Sequence, residues 1–434
     1  MTPQSSFMIV VPIASGKRDA MDSLLESMNL APGRVDPHNP VIPFALFDEL
    51  HSARLLIIEA NTAEDILAYD TEVRHWTPSL ALLGEVDGER GQFLARLAVV
   101  ASHGLATLFA LCQGFDTHQG SMLSFLQSHQ TNSAADYVNW RGRTVRQVHE
   151  EARLQRFLAE RLSTMLAEDG HTDVRQIRQQ LLTSVQLEQQ TGRLTLTPEA
   201  PTSWRHWWRN ALHLISLPVI LLLLTPVLVV VLPLALWRLR KIEKNDPDID
   251  TKSTLAHIRT LSRIEDHDVS NQFNVFGDVK PGLFRLLLLK SVMYIVSYAA
   301  RHIYRRGYLA RVRTIHFARW VFLNQNRSMY FASLYDGSLE SYMDDFINKV
   351  AFGLNLTFSH GVGYPRTRWM IKGGAELEQP FKQTLRRHQL PAAVWYRAHP
   401  GLTAIDMARH ARIRRGIEEY PLDNAQIRQW LSEI

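Results

Sequence analysis

Residues 79–88 read SLALLGEVDG and residues 328–337 read SMYFASLYDG, and these two stretches indicate how the chain is organised. Each is an apolar run that ends at Asp-Gly, a combination typical of a strand followed by a tight turn. The match continues without gaps from 79–115 onto 328–364. The identical pairs there are Ser79/Ser328, Asp87/Asp336, Gly88/Gly337, Gly104/Gly353, Leu105/Leu354, Phe109/Phe358 and Gly114/Gly363.

Two further blocks recur in the same order. Residues 126–156 align on 385–415, and His51-Ser-Ala-Arg54 matches His316-Phe-Ala-Arg319 upstream. Repeats of this kind are the signature of an internal duplication. The sequence therefore predicts two copies of one unit.

Each copy reads as strand, helix, strand, strand, helix, strand, which is the ferredoxin-like βαββαβ order. The fourth strands are predicted at 105–111 and 354–359, and each copy then adds a helix, a strand and a helix. We predict an α+β fold of tandem ferredoxin-like repeats, paired as an internal pseudo-dimer. The predicted domains are 1–165, an insertion over 166–268, and 269–434, with the second repeat as the functional half.

The composition favours a reducing compartment and an acidic or anionic partner surface. Cys112 is the single cysteine, so no disulfide can form within the chain. The net charge is +5, which suits anionic lipid or nucleic acid equally. The N-terminus has no basic start or long apolar core, so we expect no secretory signal and cytoplasmic exposure. The partners we expect are membrane lipids, a hydrophobic small molecule, and a second copy or a partner enzyme, but no nucleic acid.

The insertion carries a membrane-seeking segment, placed at 211–237. Residues 214–237 contain no charge and exceed the roughly 18 residues expected of a spanning candidate. Tryptophans and arginines flank it, as at a membrane interface. The anchoring residues are predicted to be Trp204, Trp207, Trp208, Pro226, Trp237 and Arg238.

A re-entrant or monotopic anchor is favoured over a span, although spanning stays open. One crossing would separate the two copies, and both flanks are basic, which draws both toward the cytoplasm. Pro218, Pro226 and Pro233 interrupt the run, so a bend near Pro226 would leave two arms too short to cross. We expect attachment at the cytoplasmic face of the inner membrane. The apolar helix at 283–304 is read equally well as an interfacial helix or as a packing helix.

No phosphate-binding loop, zinc spacing or nucleophile elbow occurs, and no metal site is predicted. The candidate residues are polar side chains of the second copy. His316, Arg319 and Asp336 have counterparts in the first copy and are also readable as core or turn residues. The others are His360, Arg368, His399, His410 and Arg412.

The stretches TIHFARW (314–320) and YDGSLESY (335–342) resemble a family of poorly characterised bacterial proteins described as peroxidase-like, over roughly 271–419. More distantly, tandem ferredoxin-like units resemble the dimeric α+β barrel superfamily, which includes dye-decolorising peroxidases. Those enzymes hold haem with a proximal histidine, an aspartate in Gly-x-x-Asp-Gly and a distal arginine. Residues 84–88 (GEVDG) fit that motif, whereas Ser333 stands at its first position in the second copy.

The resemblance implies a membrane-attached, peroxidase-like oxidoreductase acting on a hydrophobic or lipid-derived substrate. Haem would be bound by His360, His399 or His410, with Arg412 nearby. Asp336 with His316, and Arg319 or Arg368, would assist peroxide cleavage. Two alternatives stay open: a non-enzymatic module that binds lipid or a partner at the membrane, and a cofactor-free lipid-modifying enzyme with a histidine base.

Overall fold

The computed structural model describes residues 3–116, 120–168, 173–249, 252–304, 306–419 and 422–434. The strands are β1 (Gln4–Pro12), β2 (Asn29–Ala31), β3 (Arg34–Val35), β4 (Leu50–Ile58), β5 (Ser79–Asp87), β6 (Ser133–Val138), β7 (Ser270–Asp278), β8 (Ile315–Leu323), β9 (Ser328–Asp336), β10 (Thr367–Arg368), β11 (Lys372–Gly373) and β12 (Ala392–Arg397).

Helices separate and cover these strands. They are α1 (Arg18–Ser27), α2 (Arg90–Val100), α3 (Ser102–Phe109), α4 (Met122–Ser128), α5 (Val145–Glu168), α6 (Val174–Gln190), α7 (Trp204–Lys244), α8 (Leu255–Ser262), α9 (Leu283–His302), α10 (Leu339–Phe358), α11 (Glu378–His388), α12 (Ala404–Glu418) and α13 (Asn424–Glu433).

Two antiparallel four-stranded sheets form the centre of the molecule. Their strand orders are β1-β5-β4-β12 and β6-β8-β9-β7. Each sheet therefore takes one edge strand from the other half of the chain, β12 in the first sheet and β6 in the second. The mixed α+β class is thereby confirmed, and the two halves are interlocked.

The sheets pack face to face, with helices on both outer faces. Met8, Leu83, Val321 and Tyr330 belong to one cluster between the sheets. The outer face of the first sheet packs on α1 to α4, and that of the second on α9 to α11. Because β4, β5 and β9 are covered on both faces, all their residues except Asp87 are buried, including the polar residues His51, Ser52, Arg54 and Glu85. Helices α5, α6, α12 and α13 form a separate apolar cluster.

Matching contacts occur in the two halves, and the sequence alignment pairs Gln130 with Gln389 and Gly88 with Gly337. Ile9 bridges Gln130 in the first half, and Val275 bridges Gln389 in the second. The turns after β5 and β9 both place glycine at positive φ, 83° at Gly88 and 84° at Gly337. Only glycine adopts this conformation at little cost, so the Asp-Gly turn prediction is confirmed.

The predicted fourth strands are wrong, because both segments are helical. Residues 105–111 fall mainly in α3, and 354–359 fall at the end of α10. The buried residues Leu105, Leu108 and Phe109 have helical spacing, which outweighs the β-propensity of the run. The place of a fourth strand is filled by the strand from the other half.

Candidate functional site

A histidine–aspartate pair lies at one end of each sheet. His316 Nε2 is 2.6 Å from Asp336 Oδ1, and the other oxygen of Asp336 accepts the N–H of Ala404 at the start of α12 (2.7 Å). His51 and Asp87 repeat this pair at 3.0 Å in the first half. Each aspartate thus joins two strands to a helix N-terminus, where negative charge is favoured. The structure brings predicted His316 and Asp336 together, in an arrangement common to both halves.

Arg319 lies between the sheets and is 2% exposed. Its guanidinium donates to the carbonyl oxygens of Phe7 (2.6 Å) and Gly84 (2.8 Å) and pairs with Glu85. Arg54, the aligned residue, donates in the same way to the Phe273 carbonyl at 3.1 Å. All these partners are across the sheet interface, so Arg319 links the sheets and does not line a cavity.

Arg368 lies apart from that group, exposed in the short β10–β11 hairpin. The neighbouring backbone N–H groups of Trp369 and Met370 each donate to the carboxylate of Glu243 at 2.8 Å. The hairpin therefore holds the end of α7. Its geometry assigns Arg368 no role beside His316.

The residues expected to bind haem lie in different places. His360 follows α10 and is 1% exposed, and burial beside Arg285 and Lys280 lowers its pKa to about 3. His410 and Arg412 are on α12, where Arg412 binds Glu433 at 2.8 Å. His399 lies between the sheets.

This set does not fit haem. His399 lines a cavity of about 50 Å³, far below the several hundred Å³ that larger ligands require. Among the described residues, no group of three His, Cys, Asp or Glu side chains is placed to hold a metal ion.

The cavity around His399, termed here the histidine cavity, is bounded by both sheets and by the loops that follow β6 and β12. His51 and His316 line it together with His399. Sequence reasoning missed two other lining residues, Trp140 and Trp395. The sequence alignment contained one indication of this cavity. It pairs Trp140 with His399, and both side chains are rings that carry a polar N–H group.

The long apolar helix α7 has 41 residues and includes all three prolines. One helix runs through Pro226, so the expected division into two separate arms at this proline is not seen. In apolar surroundings, backbone groups must be paired within the helix, which favours continuity over a break. Side chains of its middle point outward on every face, such as Leu222 (73% exposed) and Val229 (68%). This helix could serve as a membrane anchor.

Among the described residues, two helices are long and apolar enough to cross a membrane, α7 and α9, and the mean hydropathies of their most apolar 18-residue stretches are 3.0 and 1.5. Helices α2 and α3 would add a third candidate if they were counted as one span, but they meet at 90°. In the most apolar 18-residue stretch of each helix, 0% of the α7 residues and 33% of the α9 residues are buried. Of the two, α9 also packs on the second sheet through Leu289 and Met293.

Both ends of α7 are fastened to the second half. Near its start, Tyr298 of α9 donates to the Leu214 carbonyl (2.8 Å), and the Ser216 and Tyr294 hydroxyl groups are 2.8 Å apart. At its end, Glu243 is 2% exposed and accepts the hairpin N–H groups.

Directly after α7, Asp246 is buried between two cations. Its carboxylate binds Lys280 Nζ at 2.8 Å and pairs with Arg285. Asp246 and Lys280 are 4% and 2% exposed. A buried network of this kind fixes the helix end in one position.

An apolar cavity of about 80 Å³ lies between the second sheet and helices α9 and α10. Its walls include Trp320 and Phe331 from the sheet, Val296 from α9 and Phe346 from α10. Helix α10 departs from helical geometry at Val350 (φ −146°, ψ 29°), which is also on the wall. Phe352, beside this break, is half exposed.

In the first half, the segment around Val41 occupies the space that corresponds to this cavity. Gly104 packs so closely on the backbone of Val41 that a Cβ atom at Gly104 would collide with it. Val41 and the neighbouring Phe44 and Phe47 belong to the first core. The aligned Gly353 lines the apolar cavity, and a Cβ atom added at this position would have no neighbour within 4 Å. In the described part of the first half, Val41 therefore occupies the position that lies open beside Gly353 in the second half.

The sequence matches no protein-family model and no curated protein, and the structure matches no solved structure.

Proposed function

We propose that this protein is a membrane-attached module that takes the end of an acyl chain of a lipid-derived ligand from the bilayer into the apolar cavity of its second half, whose volume of about 80 Å³ has room for a few methylene groups. The observation that carries the proposal is the contrast between Gly104, which packs on Val41, and Gly353, which faces open space. A cavity walled by aromatic and aliphatic side chains favours an apolar ligand. The same helix, α9, lines the cavity and holds α7.

Monotopic attachment is supported by the fastening of α7 at both ends. Its apolar middle is exposed all round, yet its start and end both contact the second half. Arg205 and Arg209 precede the apolar segment, and Arg238 follows it. Basic residues at both ends favour the same, cytoplasmic side. We place α7 and the exposed side chains of α9 in one leaflet.

We also infer that the two halves arose by duplication of one ferredoxin-like unit and pair as a pseudo-dimer with exchanged edge strands. The paired contacts support this inference: the two histidine–aspartate pairs, the two interfacial arginines and the two bridges to glutamine. In this view, the second copy lost the loop that packs beside Gly104 in the first copy, and the loss of this loop opened a ligand cavity.

A peroxidase-like activity has less support, because the proposed haem residues do not meet at one cavity. A lipid-modifying activity would need a base in the apolar cavity. His316 lies on the other face of the second sheet from Trp320 and Phe331, beside the histidine cavity. Ligand binding without chemistry is the function that the geometry favours.

Native mass spectrometry of the full-length protein tests the proposal, with titration of a fatty acid that carries a dansyl group at its carboxyl end, so that the label stays outside the cavity and the acyl end is free to enter it. We expect a co-purified lipid and saturable dansyl fluorescence. Gly353→Leu would project a side chain into the cavity and weaken probe binding by about tenfold, the effect of losing one to two kcal/mol of apolar contact. Gly91→Leu is the matched control, since Gly91 is an exposed helical glycine with open space around it.

Both variants are expected to stay on the membrane, because α7 is unchanged. Equal probe affinity in the Gly353→Leu variant and the wild-type protein would refute binding in this cavity.

A further inference from the structure

The histidine cavity lies on the opposite face of the second sheet from the proposed lipid cavity, and its polar groups lack partners. His399 is 7% exposed, and neither of its ring nitrogens has a hydrogen-bond partner in the described chain. The same holds for the indole N–H groups of Trp140 and Trp395. A buried polar group without a partner costs about 1–3 kcal/mol. Several such groups around one cavity indicate that something hydrogen-bonds to them there.

The electrostatics of this cavity favour a negative occupant. Arg143 and Arg397 line it together with His51, His316 and His399, and no aspartate or glutamate is among the described lining residues. Burial and the neighbouring His51, His149, His316 and Arg397 hold the pKa of His399 well below its ordinary value. That imidazole is therefore neutral, because the surrounding groups disfavour another positive charge.

The nearby carboxylates are already engaged. Asp87 and Asp336 bind the far sides of His51 and His316 and accept helix N–H groups. Arg397 pairs with Asp268, whose carboxylate also accepts the N–H of Gly401 at 3.1 Å, and Arg143 pairs with Glu151 and Glu199 at 3.2 Å each. The donors that face the cavity thus exceed the acceptors that the protein provides.

The volume limits the occupant to a few heavy atoms. The cavity holds about 50 Å³, enough for a small ion and too little for a sugar or a nucleotide. Its other walls combine apolar side chains, including Phe317, Leu334 and Met407, with the uncharged polar residues Gln4, Ser52, Asn139 and Ser270. An anion there would be partly shielded from water and its hydrogen bonds strengthened.

We infer that the histidine cavity is a binding site for a small monoanion, a carboxylate or an inorganic oxyanion, held by Trp140, Trp395 and His399. One of the His399 nitrogens would donate to the anion, and the two indole groups would supply further N–H donors. Anion binding would also favour protonation of His399. The site does not depend on the proposed lipid function, since the two cavities are separated by the second sheet.

The indole N–H resonances of the full-length protein in lipid nanodiscs test this inference. Sodium formate, acetate and nitrate are added in turn at constant ionic strength, with chloride as the balancing ion. We expect saturable shifts confined to two indole signals, assigned by Trp140→Phe and Trp395→Phe. A response to formate and acetate alone would identify a carboxylate, and a response to nitrate alone an inorganic oxyanion.

Loss of one donor should weaken binding by about tenfold, as expected for a hydrogen bond to a charged group. Trp395→Phe keeps the ring and removes only the N–H, and His399→Leu removes the imidazole. Trp320→Phe is the matched control, because its indole N–H is also buried without a partner but lies in the apolar cavity. The Trp320→Phe variant should bind as the wild-type protein does.

No shift with any of the three anions would show that the cavity holds water only and would overturn the inference. Equal shifts of all indole signals, or unchanged affinity in the Trp395→Phe variant, would do the same. Lipid binding by the Trp395→Phe variant is expected to be normal, so a failed anion site and a failed lipid site give different results.

Discussion

Gly104 and Gly353 occupy aligned positions with opposite surroundings. The first lies against the backbone of Val41, and the second faces open space. Both are helical, so each loses the same backbone freedom on folding. Any difference in their tolerance of a side chain must come from packing.

We therefore expect opposite effects of adding one methyl group at these two sites. Gly353→Ala should raise the free energy of unfolding by about 0.5–1 kcal/mol, the usual gain of alanine over glycine in a helix. Gly104→Ala should lower it by about 1–3 kcal/mol, because backbone atoms have to move. Thermal unfolding of both variants in one detergent measures this. Equal shifts in melting temperature would contradict the packing difference.

Lys280 is a buried cation whose charge is costly in the native state. Burial lowers its pKa to about 8, although Asp246 acts in the opposite direction. An unfolded lysine titrates near about 10.4. Between these values the unfolded chain binds more protons at this residue than the native protein, so stability rises with pH.

The Lys280→Met variant should lack this rise. Relative to the variant, the wild-type protein should gain up to about 3 kcal/mol of unfolding free energy between about pH 8 and 10.4, at 1.36 kcal/mol per pKa unit. Asp246 keeps Arg285 as a partner in the variant, so the native state persists. Melting temperatures over this range provide the measurement. Parallel pH profiles would show that Lys280 titrates normally.

At the scale of elements, α7 and α9 differ in how much of each is available to lipid. None of the residues in the most apolar 18-residue stretch of α7 is buried, whereas α9 packs one of its faces on the second sheet. Helix α9 has 20 residues, and α1, its counterpart in the first half, has 10. The extra length provides the surface that holds α7 and lines the cavity.

Charges in the middle of α7 should release the protein from membranes. A charged side chain costs about 2.5–3.5 kcal/mol in a bilayer core, so Leu222→Glu with Val229→Glu should reduce vesicle binding by at least about tenfold. Leu187→Glu on α6 is the matched control, since Leu187 is a 55% exposed apolar residue outside the apolar segment. Co-sedimentation with anionic vesicles measures the bound fraction. Undiminished binding of the double variant would show that α7 does not anchor the chain.

For the whole molecule, the exchange of β6 and β12 joins the two halves by two sets of sheet hydrogen bonds. Helices α5 and α12 add a further contact between the halves, through Leu154, Leu158 and Ile413. The covalent link between the halves is thus not needed to hold them together.

A protease site inserted at the exposed residues 201–203 tests this interlocking. After cleavage, the two fragments should elute together from a size-exclusion column and unfold in one transition, because each sheet is incomplete without the other fragment. An uncut sample of the same insertion variant is the control. Separate elution of the fragments under native conditions would contradict the exchange.

The sequence by itself determined part of the element order, the occurrence of a strand and an Asp-Gly turn in each half, the α+β class and the apolar helix. These properties follow from local patterns: apolar runs, turn residues and hydrophobic length. Trp204 and Trp237, which were predicted to anchor the chain, are in α7. The pair of His316 and Asp336 lies at a strand end where the sequence predicted a candidate site. Helix α3 was misassigned, because a short apolar run does not distinguish a strand from a buried helix.

Only the tertiary structure decided which strand completes each sheet, because antiparallel pairing depends on contacts distant along the chain. It also decided that Arg319 links the sheets, that the haem candidates lie apart, and that Val41 fills one half while the other stays open. The histidine cavity depends on the same information. Trp140 is far in sequence from Trp395 and His399, and the three surround one space because β6 and β12 exchange between the sheets.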